Sequence, residues 1–116
     1  SSANNLISEK IVSLSLYALI SRQKGNTENS QKFSEEAIKL SEQSESASAR
    51  GYANLSAAMH EYYYGKMVKT LDLFEKADSY AQQTADIELI TQILLYKGYA
   101  LGRDGNSVKG LESVQL

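Results

Sequence analysis

The chain has no cysteine, no proline and no tryptophan, and His60 is the single histidine among its 116 residues. Without cysteine there can be neither a disulfide framework nor a thiolate metal site. Without proline, and with Ala, Leu, Glu, Lys and Gln frequent, nothing interrupts helix formation along the chain. No segment is typical of a β-strand, so we expect an all-α protein.

Long apolar runs and a charge imbalance are missing as well. No stretch approaches the roughly 18–20 apolar residues that span a membrane, and no signal peptide is recognisable. The formal net charge is −2, whereas nucleic-acid binders normally carry a basic face. We therefore expect no membrane insertion and no nucleic-acid partner. The absence of cysteine is typical of a cytoplasmic protein, with the periplasm as the alternative.

Residues for catalysis or metal binding are equally sparse. His60 is followed by Glu61, but a zinc-protease helix needs a second histidine at the position that Tyr64 occupies. The glycines are too far apart to form a phosphate-binding loop. We interpret His60 as a partly exposed helix residue and expect no enzyme activity, no catalytic residue, no metal and no cofactor.

An internal repeat is the main feature that is present. Gly25, Gly65 and Gly105 stand 40 residues apart, each between two amphipathic stretches, where glycine can end a helix in the left-handed conformation. Asn26 can cap the helix that follows its glycine, whereas Lys66 cannot. Small or apolar residues recur at fixed distances from the three glycines: Ala18, Ala58 and Gly98; Ser30, Thr70 and Gly110; Ser34, Phe74 and Val114; Ala37 and Ala77.

These columns resemble the tetratricopeptide repeat family, and the middle unit, residues 54–77, carries the pattern best. The resemblance implies a right-handed superhelix of antiparallel helical hairpins, an α-solenoid of about three repeats (6–46, 47–85 and 86–116). Its period of 40 residues, against about 34 in the common form, resembles a long-helix variant found in bacterial signalling and regulatory proteins. The usual tryptophan is missing, and Ser34 stands where an aromatic residue is expected.

The pattern predicts helices at about 4–24, 27–46, 48–64, 67–84, 86–104 and 107–116. The sixth is shorter than its counterparts, so the last repeat is incomplete. We therefore expect a single domain that belongs to a longer protein, or an open end that packs against a partner, including a second copy of the chain.

The inner surface of such a superhelix is lined by the first helix of each repeat. By resemblance, the groove candidates are Arg22, Tyr52, Leu55, Met59, Tyr62, Tyr63, Gln92, Tyr99 and Arg103. Successive helical residues point about 100° apart, so Tyr62, Tyr63 and Tyr64 cannot share one surface. We expect Tyr62 or Tyr63 to face the groove and Tyr64 to lie near the turn. The alternative is that these tyrosines fill space between long helices.

The resemblance implies a protein–protein or peptide interaction module within a larger bacterial-type signalling or regulatory protein. One alternative is a structural spacer or self-association domain. Another is a ligand-sensing domain fused to an output domain such as a kinase, nucleotide cyclase or DNA-binding unit. The positions at which co-chaperone members of the family hold a terminal carboxylate are mostly apolar here, so we expect no such clamp: Ser15, Leu19, Leu55, Met59 and Leu95.

Overall fold

The chain folds into α-helices joined by short turns. A computed structural model describes the backbone of residues 2–103 and the side chains of residues 5–102, and no strand occurs in that part. The predicted all-α class is confirmed. The helices are α1 Ser2–Gln23, α2 Thr27–Ser41, α3 Ala47–Tyr64, α4 Met67–Ala81 and α5 Ile87–Arg103. The predicted helix at 107–116 lies outside the described residues, as does the third turn glycine, Gly105.

Helix α3 is the centre of the arrangement. It contacts α1, α2, α4 and α5, while α1 packs on α2 and α4 packs on α5. Within the described helices α2 and α4 do not touch each other. The first helices of successive hairpins are therefore neighbours, and α3 is enclosed on most of its circumference. This central position decides which of its residues can reach the surface.

The repeat columns form the core. Ala58, Ala37 and Ala77 are fully buried, which lets neighbouring helices approach closely. Phe74 is also fully buried and belongs to a large cluster that joins α3, α4 and α5. The matching position in the first hairpin is Ser34, and the second cluster is smaller: Ile11, Ala37, Ala49 and Ala53. At this column the second hairpin has a large apolar side chain in its core where the first has a small polar one.

The two described turn glycines differ in conformation. Gly25 has φ +77°, the left-handed conformation expected, and Asn26 Oδ1 accepts the Asn29 N–H at 3.0 Å. For Gly65 the prediction is wrong, because its φ is −130° and its ψ −148°. The Glu61 carboxylate folds back over Gly65 and would lie 1.7 Å from an added Cβ. Lys66 makes no side-chain cap, as expected, and Glu61 accepts its N–H instead at 3.3 Å.

Alanine substitutions at Gly25 and Gly102 should have opposite effects on stability, because only Gly25 has the left-handed backbone conformation. Gly25→Ala should lower the free energy of unfolding by about 1–2 kcal/mol, because the left-handed conformation strains an L-residue. Gly102→Ala should raise it by up to about 1 kcal/mol, since Gly102 is helical and has open space around its Cβ position. Urea unfolding followed by circular dichroism measures both, and equal effects of the two changes would contradict this account.

Helices α2 and α4 end earlier than the predicted residues 46 and 84. The Ser44 hydroxyl accepts the Ser46 N–H at 3.0 Å, and Ser46 Oγ accepts the Ala49 N–H at 3.1 Å as the cap of α3. Forty residues later Thr84 accepts from Asp86 at 3.2 Å, and Asp86 accepts from Leu89 at 3.1 Å. Short hydroxyl and carboxylate side chains compete with the helix for backbone donors in this way. The repeat therefore includes the loops between hairpins.

Candidate functional site

The C-terminal halves of α3 and α5 form a pocket of tyrosines. A cavity of about 210 Å³ is lined by Met59, Tyr62, Tyr63, Tyr96 and Tyr99, and we call it the tyrosine pocket. Residues three or four apart share one face of a helix, which brings the lining side chains of each helix together. Met59 is 2% exposed and forms the floor, whereas Tyr63 and Tyr99 are about half exposed.

The rings of the pocket have defined relative positions. The centroids of Tyr62 and Tyr63 are 4.9 Å apart in an edge-to-face arrangement, which is a favourable geometry for two aromatic rings. Tyr96 and Tyr99 close the pocket from α5. A cavity lined by a methionine and four tyrosines can hold an apolar or aromatic side chain, and the phenolic groups can form hydrogen bonds with the polar atoms of a ligand.

Arg22 lies beside the pocket, in the last turn of α1. Its guanidinium carbon is 4.5 Å from the centroid of the Tyr63 ring, a cation–π contact. Its Nε is buried and has no hydrogen-bond partner among the described residues. No carboxylate of the described part lies within ion-pair distance of its guanidinium. Arg22 thus combines a fixed position with an unused hydrogen-bonding capacity.

Other groove candidates lie elsewhere. Tyr52 and Leu55 are 7% and 0% exposed, so their side chains belong to the core enclosed by the neighbouring helices. Burial, with smaller contributions from Asp86 and Glu88, raises the pKa of Tyr52 to about 12. Gln92 is half-buried and donates to Glu88 at 3.3 Å. The side chain of Arg103, the last of the candidates, lies outside the described side chains.

Sequence reasoning missed a second cavity on another side of α3. It measures about 410 Å³ and lies between α2, α3 and α4; we call it the polar cavity. Its charged lining mixes both signs: Glu35, Glu42 and Glu61 with Lys39, Lys69 and Lys76. The lining comes from three helices, and helical spacing within one segment does not reveal such a grouping. The mixed charges give the cavity no clear preference for a ligand charge.

His60 lies at the polar cavity. Its Nδ1 is 2.9 Å from the Ser30 hydroxyl, and its ring centroid is 5.1 Å from that of Tyr64. Tyr64 therefore contacts His60, whereas Tyr62 and Tyr63 line the tyrosine pocket. Burial of the imidazole lowers the pKa of His60 below its ordinary value of 6.5.

The lowered pKa predicts a pH dependence of stability. The unfolded chain binds a proton at His60 more readily than the folded chain does, because burial disfavours the charged ring. The neutral His60 therefore contributes fully to the free energy of unfolding above about pH 6.5, and this contribution is lost as the pH falls through the folded pKa. An NMR titration of the ring should give a midpoint below 6.5. The free energy of unfolding should also fall more between about pH 7.5 and about pH 5.5 than it does in His60→Gln. A midpoint at or above 6.5 would contradict the burial argument.

Two further observations concern the part of the chain that the structure describes. Within it, no group of three or more His, Cys, Asp or Glu side chains is arranged to hold a metal ion. None of its helices is both long enough and apolar enough to cross a membrane.

Comparisons with known proteins do not identify a relative. No family model matches the chain, and no curated protein and no solved structure matches it significantly. The tetratricopeptide resemblance therefore stays a prediction from the repeat columns of the sequence.

Proposed function

We propose that the chain is a peptide-binding helical-repeat domain of a larger signalling or regulatory protein. In this proposal α1, α3 and α5 form the inner layer of a right-handed superhelix, and the tyrosine pocket holds one side chain of an extended peptide. The observation that carries it is a pair of half-exposed tyrosines, Tyr63 and Tyr99, on either side of a buried methionine floor.

The pocket's size favours a single side chain over a whole small molecule. Its volume of about 210 Å³ lies below the roughly 300–1,000 Å³ of ligand and cofactor pockets. Tyrosines supply large contact areas with few torsions to immobilise, which is why they are enriched at binding hot spots. A role in binding, without catalysis, therefore fits this site best.

A selection from a random library tests the proposal. Twelve-residue peptides displayed on phage are selected on the immobilised chain, and enriched peptides are then measured by fluorescence anisotropy. We expect saturable binding by peptides that share a large apolar or aromatic residue. Selection that enriches no peptide above a blank surface would contradict the proposal.

A specific observation also favours self-association as a second function. Ile87 and Leu95 form an exposed apolar stripe on α5, which packs on α3 and α4 through other residues. Apolar stripes of this kind are common at helix–helix interfaces. Sedimentation equilibrium tests it, because a dimer through this face should be disrupted by Leu95→Asp. A concentration-independent monomer mass would exclude it.

A further inference from the structure

Arg22 lacks the carboxylate partner that three lysines of the described residues have. Lys69, Lys76 and Lys97 each pair with a carboxylate, at 3.2 Å, 3.3 Å and 2.5 Å. Arg50, which also lies over a tyrosine ring, donates its Nε to the Ser41 carbonyl at 3.3 Å. Arg22 has the ring contact with Tyr63 but neither a carboxylate nor an acceptor for Nε within the described part.

A buried donor without an acceptor is costly, and an anion that binds the half-buried side chain of Arg22 can supply acceptors to its guanidinium. The planar guanidinium matches the two oxygens of a carboxylate, and hydrogen bonds between charged groups are among the strongest in proteins. The Tyr63 ring restrains the guanidinium beside the pocket, so less conformational freedom is lost when an anion binds. The site therefore has charge complementarity to an acidic group.

We propose that the ligand is an acidic peptide whose aspartate or glutamate side chain binds Arg22 while a neighbouring apolar side chain enters the tyrosine pocket. This inference rests on the proposed function, and it specifies the class of peptide. The Tyr63 ring both lines the pocket and contacts the guanidinium, with 4.5 Å between the guanidinium carbon and the ring centroid. An extended chain advances about 3.3 Å per residue, so the acidic and apolar residues should be one to three positions apart.

The experiment compares three proteins in the same twelve-residue library selection: the wild type, Arg22→Gln and Arg50→Gln. Arg50→Gln is the matched control, because it removes the same charge from an arginine over a tyrosine ring whose Nε has an acceptor. Circular dichroism melting checks that each variant is folded. The wild type and Arg50→Gln should enrich peptides with an acidic residue at a fixed spacing from an apolar one, and Arg22→Gln should lose the acidic preference and keep the apolar one.

A second measurement needs no protein variant, so it remains decisive if Arg22→Gln does not fold. The best wild-type peptide and its Glu→Gln or Asp→Asn counterpart are titrated against the wild-type chain. The neutral peptide should bind roughly tenfold more weakly or worse, the size expected for a lost charge-assisted hydrogen bond. The difference should shrink as salt is raised.

The remaining outcomes of the selection distinguish a failure of this inference from a failure of the proposed function. Enriched peptides without an acidic preference would overturn this inference and leave the proposed function standing. An acidic preference that persists in Arg22→Gln would overturn the assignment to Arg22. Failure of the wild type to enrich any peptide would overturn the proposed function, and this inference with it.

Discussion

Replacing Phe74 by alanine should lower the free energy of unfolding by about 3–5 kcal/mol, the usual cost of removing a buried phenylalanine ring. Phe74 is fully buried where α4 packs against α3 and α5. Removal of the ring therefore leaves a cavity that the neighbouring side chains cannot close without moving. Domains of this kind are stable by only about 5–15 kcal/mol. The variant should therefore unfold at a much lower urea concentration than the wild type.

The repeat supplies the control for this change. Ser34 occupies the same column in the first hairpin, is 3% exposed, and donates its hydroxyl to the Gln31 carbonyl of its own helix at 3.0 Å. Ser34→Ala removes one small group and a local hydrogen bond, and alanine favours the helix. Its effect should stay within about 1 kcal/mol. Equal losses at the two positions would mean that the second hairpin does not hold the larger core.

Replacing Tyr99 by alanine should weaken peptide binding by at least about tenfold, or 1.4 kcal/mol. Tyr99 forms the α5 side of the tyrosine pocket and is 59% exposed, so its removal opens the pocket without removing a core residue. The affinity of a selected peptide, measured by fluorescence anisotropy, should fall while the free energy of unfolding changes little.

Tyr17 provides the matched control for Tyr99. It is 58% exposed on α1 and contacts Phe33, with ring centroids 5.8 Å apart, outside the tyrosine pocket. Tyr17→Ala should leave peptide affinity within about twofold of the wild type, as expected for a residue outside the hot spot. Similar losses for Tyr17→Ala and Tyr99→Ala would indicate contact that does not depend on the pocket.

The glycine spacing predicts the hairpins because a repeat of helix, turn and helix has few other ways to bury its apolar face. The same signal overextends α2 and α4, since the hydroxyls of Ser44 and Thr84 redirect backbone hydrogen bonds after each helix. The conformation of Gly65 is not predictable from the glycine alone. In the structure the Glu61 carboxylate lies in the space that a Cβ of residue 65 would occupy, and the glycine spacing does not show this contact.

The candidate site is only partly encoded in helical spacing. Met59, Tyr62, Tyr63 and Tyr99 line the tyrosine pocket, whereas Tyr52 and Leu55 are covered because α3 is enclosed by other helices. Spacing assigns a residue to a face, but burial of that face depends on how many neighbours cover it. Tyr96 was missed for the same reason, since it joins the pocket only when α5 packs beside α3.

The most direct test of the binding proposal is an NMR titration of the isotope-labelled chain with a peptide selected from the library. Backbone amide shifts should change most at the ends of α3 and α5, around Tyr63 and Tyr99, and at Arg22 in the last turn of α1. They should change little around Lys39 and Lys76 in the polar cavity. Shifts concentrated on α2 and α4 would contradict the proposal, because the peptide would then bind a different surface.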